Sequence, residues 1–181
     1  MMMKTNLICT AIIFFFLAIK GSKADDFKLV VQKACSGAPH NTLCIESLNS
    51  AAGKSVSTDL GGVLCVAVNA VYKNLTDTQA YAKKIHATMK SGFMSQTVFD
   101  CSNSYTDAVL YTEKALTVCE KKSYGEVKGN LLAAMADPKI CEDKFTLVPG
   151  TVSPLKSRNE VLLQLYGNAI AINDLVNGIK R

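Results

Sequence analysis

The feature that most constrains this chain is a set of six cysteines that follows a predicted export signal. Residues 1–24 start with a positive charge at Lys4, continue through a 13-residue apolar run and end at a small-residue cleavage site after Ala24. The run is shorter than the ~20 residues that a helix needs to cross a bilayer, so an export signal is favoured over a membrane anchor. Cys9 leaves with the signal, and an even number of cysteines in residues 25–181 of an exported chain favours disulfide bonds.

Charge and composition argue against several classes of function. Removal of Lys4, Lys20 and Lys23 with the signal lowers the formal net charge from +5 to +2. The remaining charges are scattered along the chain, unlike the clustered basic surface of a nucleic-acid-binding protein. The only histidines, His40 and His86, lie 46 residues apart and no Cys-x2-Cys pair occurs, so neither a metal nor another cofactor is expected. The familiar motifs of hydrolase, dinucleotide and phosphate sites are missing too, so we predict no catalytic residues and no enzyme activity.

Apolar periodicity predicts an all-α fold. In residues 25–55, two short helices over 26–34 and 42–52 are expected to bend around Gly37-Ala38-Pro39 into a helical hairpin. In residues 56–181, the first of four longer helices carries apolar residues at steps of three and four from Leu60 to Met89. Gly61-Gly62 weakens its first turn, and Ser91-Gly92 is predicted to end it. The candidates for its N-cap are Ser57, Thr58 and Asp59.

The three later helices also have recognisable ends. The second is predicted to end at the turn over 123–125, and the third to cover 126–136. Asp137-Pro138 should stop the third helix, because proline cannot donate the next helical hydrogen bond. The last helix should start with Ser153 as its cap and Pro154 in the first helical position, and its apolar stripe extends to Ile179. Because short turns force antiparallel neighbours, we predict a disulfide-stapled up-down-up-down four-helix bundle after the hairpin.

Four sequence segments carry a family resemblance. Cys35 and Cys44 lie nine residues apart shortly after the signal, and residues 100–109 read DCSNSYTDAV. Residues 131–145 read LLAAMADPKICEDKF, and residues 152–159 read VSPLKSRN. Together and in this order, the segments resemble the plant invertase and pectin methylesterase inhibitor family. The last segment is similar to the invertase-inhibitor branch, including its pollen-allergen-like members.

The resemblance implies two disulfides, Cys35 with Cys44 and Cys101 with Cys141. Cys65 and Cys119 have no place in that pattern. Each lies 27 residues from Gly92, so in an antiparallel hairpin both would stand at the same height. A third disulfide is therefore an alternative, although we expect two separate buried thiols.

The resemblance also implies a function. It identifies the chain as a secreted inhibitor, located in the apoplast or cell wall, that blocks the active site of a cell-wall or vacuolar invertase in a one-to-one complex. One alternative is inhibition of pectin methylesterase, in which exposed helix faces with residues such as Lys83, Lys84, Glu113 and Lys114 would cover the enzyme's cleft. Another alternative is a non-inhibitory secreted helical protein that binds a small apolar ligand. We expect no nucleic-acid partner and no membrane association after signal cleavage.

Two local features complete the set of candidate sites. Invertase inhibitors of this family present a Pro-Lys-Phe motif at the turn between the second and third bundle helices. Here that turn contains Lys122, Ser123, Tyr124 and Glu126, so Tyr124 could replace the aromatic residue and Lys122 could supply the charge, while the proline is missing. Separately, Asn74-Leu75-Thr76 is an N-glycosylation sequon inside a predicted helix, so its occupancy is left open.

Overall fold

The computed structural model describes residues 23–51 and 59–179, and these residues contain helices and no strand. The helices are α1 (Lys23–Cys35), α2 (Asn41–Ala51), α3 (Leu60–His86), α4 (Phe93–Glu120), α5 (Tyr124–Phe145) and α6 (Lys156–Val176). The all-α prediction is confirmed. The predicted signal, apart from its last two residues, lies outside the described residues, as do the N-cap candidates Ser57 and Thr58. Within the described ranges, no helix is long and apolar enough to cross a membrane.

Helices α3 to α6 form the bundle, in which each helix packs against its neighbours in the chain and α6 closes the ring against α3. The core between them consists of large side chains with almost no exposed surface, among them Leu64, Val71, Leu75, Tyr105, Leu131, Leu162, Tyr166 and Ile172. The hairpin of α1 and α2 packs on α3 and α6. The side chain of Asn168 in α6 holds the tip of the hairpin, since it accepts from the His40 N–H and donates to the His40 carbonyl, both at 3.0 Å.

Helix α3 begins as expected but ends early. Asp59 is the N-cap, and its carboxylate accepts a hydrogen bond of 2.8 Å from the Gly62 N–H. The predicted end at Ser91-Gly92 is wrong, because the helix stops at His86. Beyond it, successive bonds from residue i+3 back to residue i tighten the chain into a turn, for example from the Met89 N–H to the His86 carbonyl at 3.1 Å.

Helix α5 continues through Pro138, so the predicted stop at Asp137-Pro138 is wrong. Proline removes one helical hydrogen bond, but the buried stripe continues across it without a break in spacing. Its members are Val127, Leu131, Ala134, Pro138, Cys141 and Phe145. Because the stripe is buried on both sides of the proline and α5 packs against α4 and α6, tertiary burial outweighs the local preference to end the helix.

Both predicted ends of α6 need correction. The helix begins at Lys156, because Ser153 and Pro154 belong to a preceding turn in which the Ser153 hydroxyl accepts from the Leu155 N–H at 3.1 Å. At the other end the helix stops at Val176. Ile179 lies beyond it and is 51% exposed, so it does not extend the buried stripe.

The six cysteines of the described residues form three disulfides. Cys35–Cys44 closes the hairpin, Cys101–Cys141 joins α4 to α5, and Cys65–Cys119 joins α3 to α4. The first two pairs are those that the resemblance implies. The expectation of two separate thiols at Cys65 and Cys119 is wrong, because these residues face each other at the same height with their Cα atoms 5.6 Å apart. Cys65 lies one position after Leu64 of the buried stripe of α3, and this offset turns its side chain toward α4 rather than away from the bundle.

Candidate functional site

We define the α4–α5 turn as residues 121–126, which are the three residues between the helices and the first three residues of α5, at the end of the bundle where α3 begins and α6 ends. The predicted turn over 123–125 and the predicted start of the third helix at 126 are two residues too late, because α4 ends at Glu120 and α5 already begins at Tyr124. The α4–α5 turn is closed by two backbone hydrogen bonds, from the Lys122 N–H to the Cys119 carbonyl at 2.8 Å and from the Ser123 N–H to the Val118 carbonyl at 2.9 Å. This is the Schellman arrangement, in which the residue after the cap adopts a left-handed conformation and is usually glycine. Here the residue is Lys122, with φ of 62°. The geometry of the end of α4 therefore fixes the backbone position of Lys122.

Tyr124 is bound to the scaffold through both its ring and its backbone. Its half-buried side chain lies over Gly61 in the first turn of α3, so closely that a Cβ atom at Gly61 would collide with the ring and hydroxyl. Its carbonyl accepts hydrogen bonds from the side-chain amides of Asn173 at 2.8 Å and Asn177 at 3.4 Å, both at the end of α6. The glycine that weakens the start of α3 thus makes room for the tyrosine, and the aromatic ring of the turn packs inward.

The outward side chains of the turn are charged. Lys121, Lys122 and Glu126 are exposed, whereas Ser123 is half-buried. The Cys65–Cys119 disulfide reaches α4 just before the turn and ties it to α3. Three kinds of constraint therefore hold the backbone of these two lysines in place: the hydrogen bonds that close the helix, the packing of Tyr124 on Gly61 and the disulfide bond.

A buried chain of polar groups links the motifs that carry the family resemblance. The Tyr105 hydroxyl donates to Asn159 Oδ1 at 2.6 Å, and Asn159 Nδ2 donates to Glu142 Oε1 at 2.7 Å. The Ser153 hydroxyl donates to the same Glu142 oxygen at 2.8 Å. Burial raises the pKa of the Tyr105 hydroxyl well above its ordinary value, so it stays protonated and remains a donor.

Sequence reasoning missed this role for the motif residues. Tyr105, Glu142, Ser153 and Asn159 come from three different segments and hold α4, α5 and the start of α6 together. The adjacent Arg158 places its guanidinium over the Tyr81 ring of α3, 4.3 Å from the ring centroid. The sequence signal that could have revealed the network is the occurrence of polar residues at helix positions where the apolar stripe predicts burial. The residues of these motifs thus stabilise the scaffold, and they give little information about the enzyme that is bound.

The outer surface of the second and third bundle helices carries several exposed apolar side chains. We define the α4–α5 face by four of these residues, Leu110, Tyr111, Leu132 and Ile140, each between 38% and 48% exposed. Phe99 is exposed too, but its ring packs against that of His86 in α3, with the ring centroids 5.2 Å apart. Of the charged candidates on the helices, Lys114 lies over the Tyr111 ring at 5.0 Å and Glu113 accepts from the Tyr72 hydroxyl at 2.9 Å. Lys83 and Lys84 are exposed near the end of α3, at the opposite end of the bundle from the α4–α5 turn.

Two other features of the structure bear on ligand binding. A groove of about 520 Å³ lies between the hairpin and the end of α6, lined by Ala34, Ser36, Gly37, Ala171, Asp174, Leu175, Gly178 and Ile179. This groove opens on the surface. The alternative of a non-inhibitory protein that binds a small apolar ligand would instead need a cavity between the four bundle helices. In residues 23–51 and 59–179, no three His, Cys, Asp or Glu side chains are grouped so that they could hold a metal ion. Asn74 is exposed on α3.

Comparison with known proteins gives consistent matches. Residues 30–172 match the family model described as Plant invertase/pectin methylesterase inhibitor. The chain is 26% identical to a Platanus acerifolia protein named "Putative invertase inhibitor", over 91% of this chain and 94% of that protein. It is 25% identical to the Arabidopsis thaliana protein named "Cell wall / vacuolar inhibitor of fructosidase 2", over 71% and 72% of the two chains. The crystal structure of a mutant form of an Arabidopsis pectin methylesterase inhibitor superposes with a TM-score of 0.66 at 17% identity, over 78% of this chain and 93% of that one.

Proposed function

The chain belongs to the plant invertase/pectin methylesterase inhibitor family, and on that premise we propose that it inhibits an invertase by blocking the enzyme's active site in a one-to-one complex. The family consists of inhibitors, so the protein acts by binding an enzyme and not by catalysis. The observation that carries the choice of invertase is the set of relatives aligned over most of the chain, whose names refer to invertase or fructosidase inhibition. The similarity to the solved pectin methylesterase inhibitor, at 17% identity, concerns the fold alone.

The α4–α5 turn supports this proposal by its charge and its rigidity. Invertase cleaves a glycosidic bond, and glycoside hydrolases flank such a bond with two carboxyl groups. A lysine at the apex of a narrow turn can enter a cleft of this kind and pair with a carboxylate there. Because the backbone of Lys122 is already held by the helix closure and Tyr124 already packs on Gly61, little backbone freedom is lost on binding.

The second candidate function is inhibition of pectin methylesterase through the α4–α5 face. Exposed apolar side chains on adjacent helices, such as Leu110 and Tyr111 on α4 and Leu132 on α5, are typical of surfaces that bind other proteins. In this mode the helix surfaces would cover a long cleft, and the turn would contribute little. The two modes therefore predict different sensitive residues.

For the place of action, we propose secretion to the cell wall. The proposal depends on the predicted signal at residues 1–24 and agrees with the Arabidopsis relative, whose name places it at the cell wall or vacuole. Vacuolar invertase is the other potential target within the same enzyme class.

The experiment that tests the function uses purified, oxidised protein against a cell-wall invertase, a vacuolar invertase and a pectin methylesterase at mildly acidic pH. We expect inhibition of at least one invertase. Lys122→Asn should weaken that inhibition by about tenfold or more, because it removes the apical charge while asparagine still tolerates the left-handed backbone.

The matched control is Lys90→Asn, which removes an exposed lysine from the turn at the opposite end of the bundle and should leave inhibition unchanged. Equal effects of the two variants would refute the role of the α4–α5 turn. Inhibition of pectin methylesterase alone, lost on Tyr111→Ala, would favour the second candidate. No inhibition of any enzyme would refute both and leave the non-inhibitory binding protein.

A further inference from the structure

Asn74 occupies a position on α3 that the proposed inhibitory contacts do not use. The sequence contains one Asn-x-Ser/Thr sequon, Asn74-Leu75-Thr76. Leu75 is fully buried, whereas Asn74 is exposed. The side-chain nitrogen of Asn74 donates only within its own helix, to the Ala70 carbonyl at 3.1 Å. The asparagine that would accept the sugar is therefore at the surface of the folded bundle.

The flank of α3 on which Asn74 lies can be read from its neighbours. Tyr72 and Gln79, seven residues apart, face α4, since they donate to Glu113 at 2.9 Å and to Thr106 at 2.9 Å. Tyr81, seven residues after Asn74 and so on nearly the same face, meets Arg158 of α6.

This places Asn74 on the α6 side of α3, away from α4 and α5. Along the axis, the thirteen residues from Gly61 to Asn74 separate it by about 20 Å from the point where Tyr124 packs.

We propose that Asn74 carries an N-linked oligosaccharide on the α3–α6 side of the bundle, leaving the α4–α5 turn and the α4–α5 face uncovered. The modification rests on the export predicted from residues 1–24. Its consequence for inhibition rests on the proposed function.

In the transfer, the Asn74 amide nitrogen forms a bond to the anomeric carbon of a sugar. The bond from that carbon to the diphosphate of a polyprenyl-linked oligosaccharide donor breaks, the diphosphate leaves, and the nitrogen loses one proton. The nitrogen keeps its second hydrogen, which can still donate to the Ala70 carbonyl.

The helical setting determines when the transfer occurs. In α3, residues two apart point to different sides, and the Thr76 hydroxyl donates to the Lys73 carbonyl at 2.9 Å. The amide of Asn74 and the hydroxyl of Thr76 can come together only before α3 forms. Transfer thus takes place on the nascent chain during export. The exposed position of Asn74 then lets the helix fold with the sugar attached.

The test is expression of the full chain in a eukaryotic secretory host, with intact mass measured before and after enzymatic release of N-glycans. We expect the secreted protein to lose the mass of one glycan, and peptide mapping to find aspartate at position 74 after release. Asn74→Gln and Thr76→Val should abolish the shift, and the control Thr76→Ser, which preserves the sequon, should retain it. A secreted, signal-cleaved protein with no shift would overturn the proposal.

The proposal that the glycan leaves the α4–α5 turn and the α4–α5 face uncovered is tested by comparing inhibition before and after glycan release. We expect the two forms to inhibit equally, within about twofold. A loss of inhibition of about tenfold or more caused by the glycan would contradict the assigned uncovered side. If neither form inhibits any enzyme, the proposed function fails while the glycosylation result is still decided by mass.

Discussion

The contact between Gly61 and Tyr124 gives a prediction in which one substitution has opposite effects at two places. Gly61→Ala and Gly129→Ala both replace a helical glycine. At Gly129 in α5, an added Cβ meets no atom within 4 Å. The variant should therefore gain stability by up to about 1 kcal/mol from helix propensity alone. At Gly61 the same Cβ would collide with the Tyr124 ring.

The magnitude at Gly61 follows from two opposing contributions. Overpacking of this kind costs about 1–3 kcal/mol, and the gain in helix propensity offsets about 1 kcal/mol of it. We expect Gly61→Ala to lower the free energy of unfolding by roughly 0–2 kcal/mol. The two variants should therefore differ by about 1–3 kcal/mol, or by ~2–4 °C in Tm for each kcal/mol in a domain of this size.

The assay is urea and thermal unfolding of the oxidised proteins, repeated in a Tyr124→Ala background. Without the ring, Gly61→Ala should become stabilising and resemble Gly129→Ala, whose effect should be the same in both backgrounds. The reasoning is refuted if Gly61→Ala stabilises the parent protein as much as Gly129→Ala does, or if its effect is independent of the ring at position 124.

Two further predictions concern covalent and electrostatic contributions. The double variant Cys65→Ala/Cys119→Ala should lower the free energy of unfolding by about 4 kcal/mol, because it frees a 54-residue loop in the unfolded chain; urea unfolding that shows a loss below about 1 kcal/mol would contradict this. Burial, assisted by the Asp107 carboxylate, raises the pKa of Asp137 above 3.8, so the folded state binds this proton more tightly than the unfolded state does. The resulting stabilisation is present below pH 3.8 and is lost as the pH rises through the folded-state pKa, so Asp137→Asn should stabilise the protein at neutral pH and have little effect in strong acid. Equal effects at both pH values, measured by thermal unfolding, would show that the pKa shift is not the cause.

Much of the fold could be predicted from sequence because the bundle helices carry regular apolar stripes with turn residues between them. The errors have a common physical cause, which is tertiary packing that no local rule contains. Pro138 should end a helix by its own chemistry, yet it occupies a position in a buried stripe that continues to Phe145. Ser153 and Pro154 have the right chemistry for a helix start, but the serine hydroxyl donates to Glu142 and accepts from the Leu155 N–H within a turn, and the helix begins after that turn.

The candidate site was predictable in its position but not in its construction. The place of the turn followed from the ends of the two helices, and the height of Cys65 relative to Cys119 followed from residue counting. That these cysteines are joined depends on the flank of α3 to which Cys65 points, which periodicity alone did not resolve. The inward seat of Tyr124 depends on the absence of a side chain at Gly61, a contact between residues 63 positions apart. Pairwise contacts at such separations leave no trace in a local pattern.

The positions of the disulfides have a consequence for resistance to proteolysis. A cut in the turn over 87–92 would leave the two pieces joined by Cys65–Cys119, and a cut in the α4–α5 turn would leave them joined by Cys101–Cys141. Among the connections between the four bundle helices, the loop over 146–155 is different, because no disulfide joins the segment after Cys141 to the rest of the chain. A single nick there severs the last covalent link to α6, the helix that supplies Asn159 to the buried polar chain and Asn173 to the seat of Tyr124. Proteolytic inactivation is thus expected to start at this loop, which exposes 75% of both Leu147 and Val152.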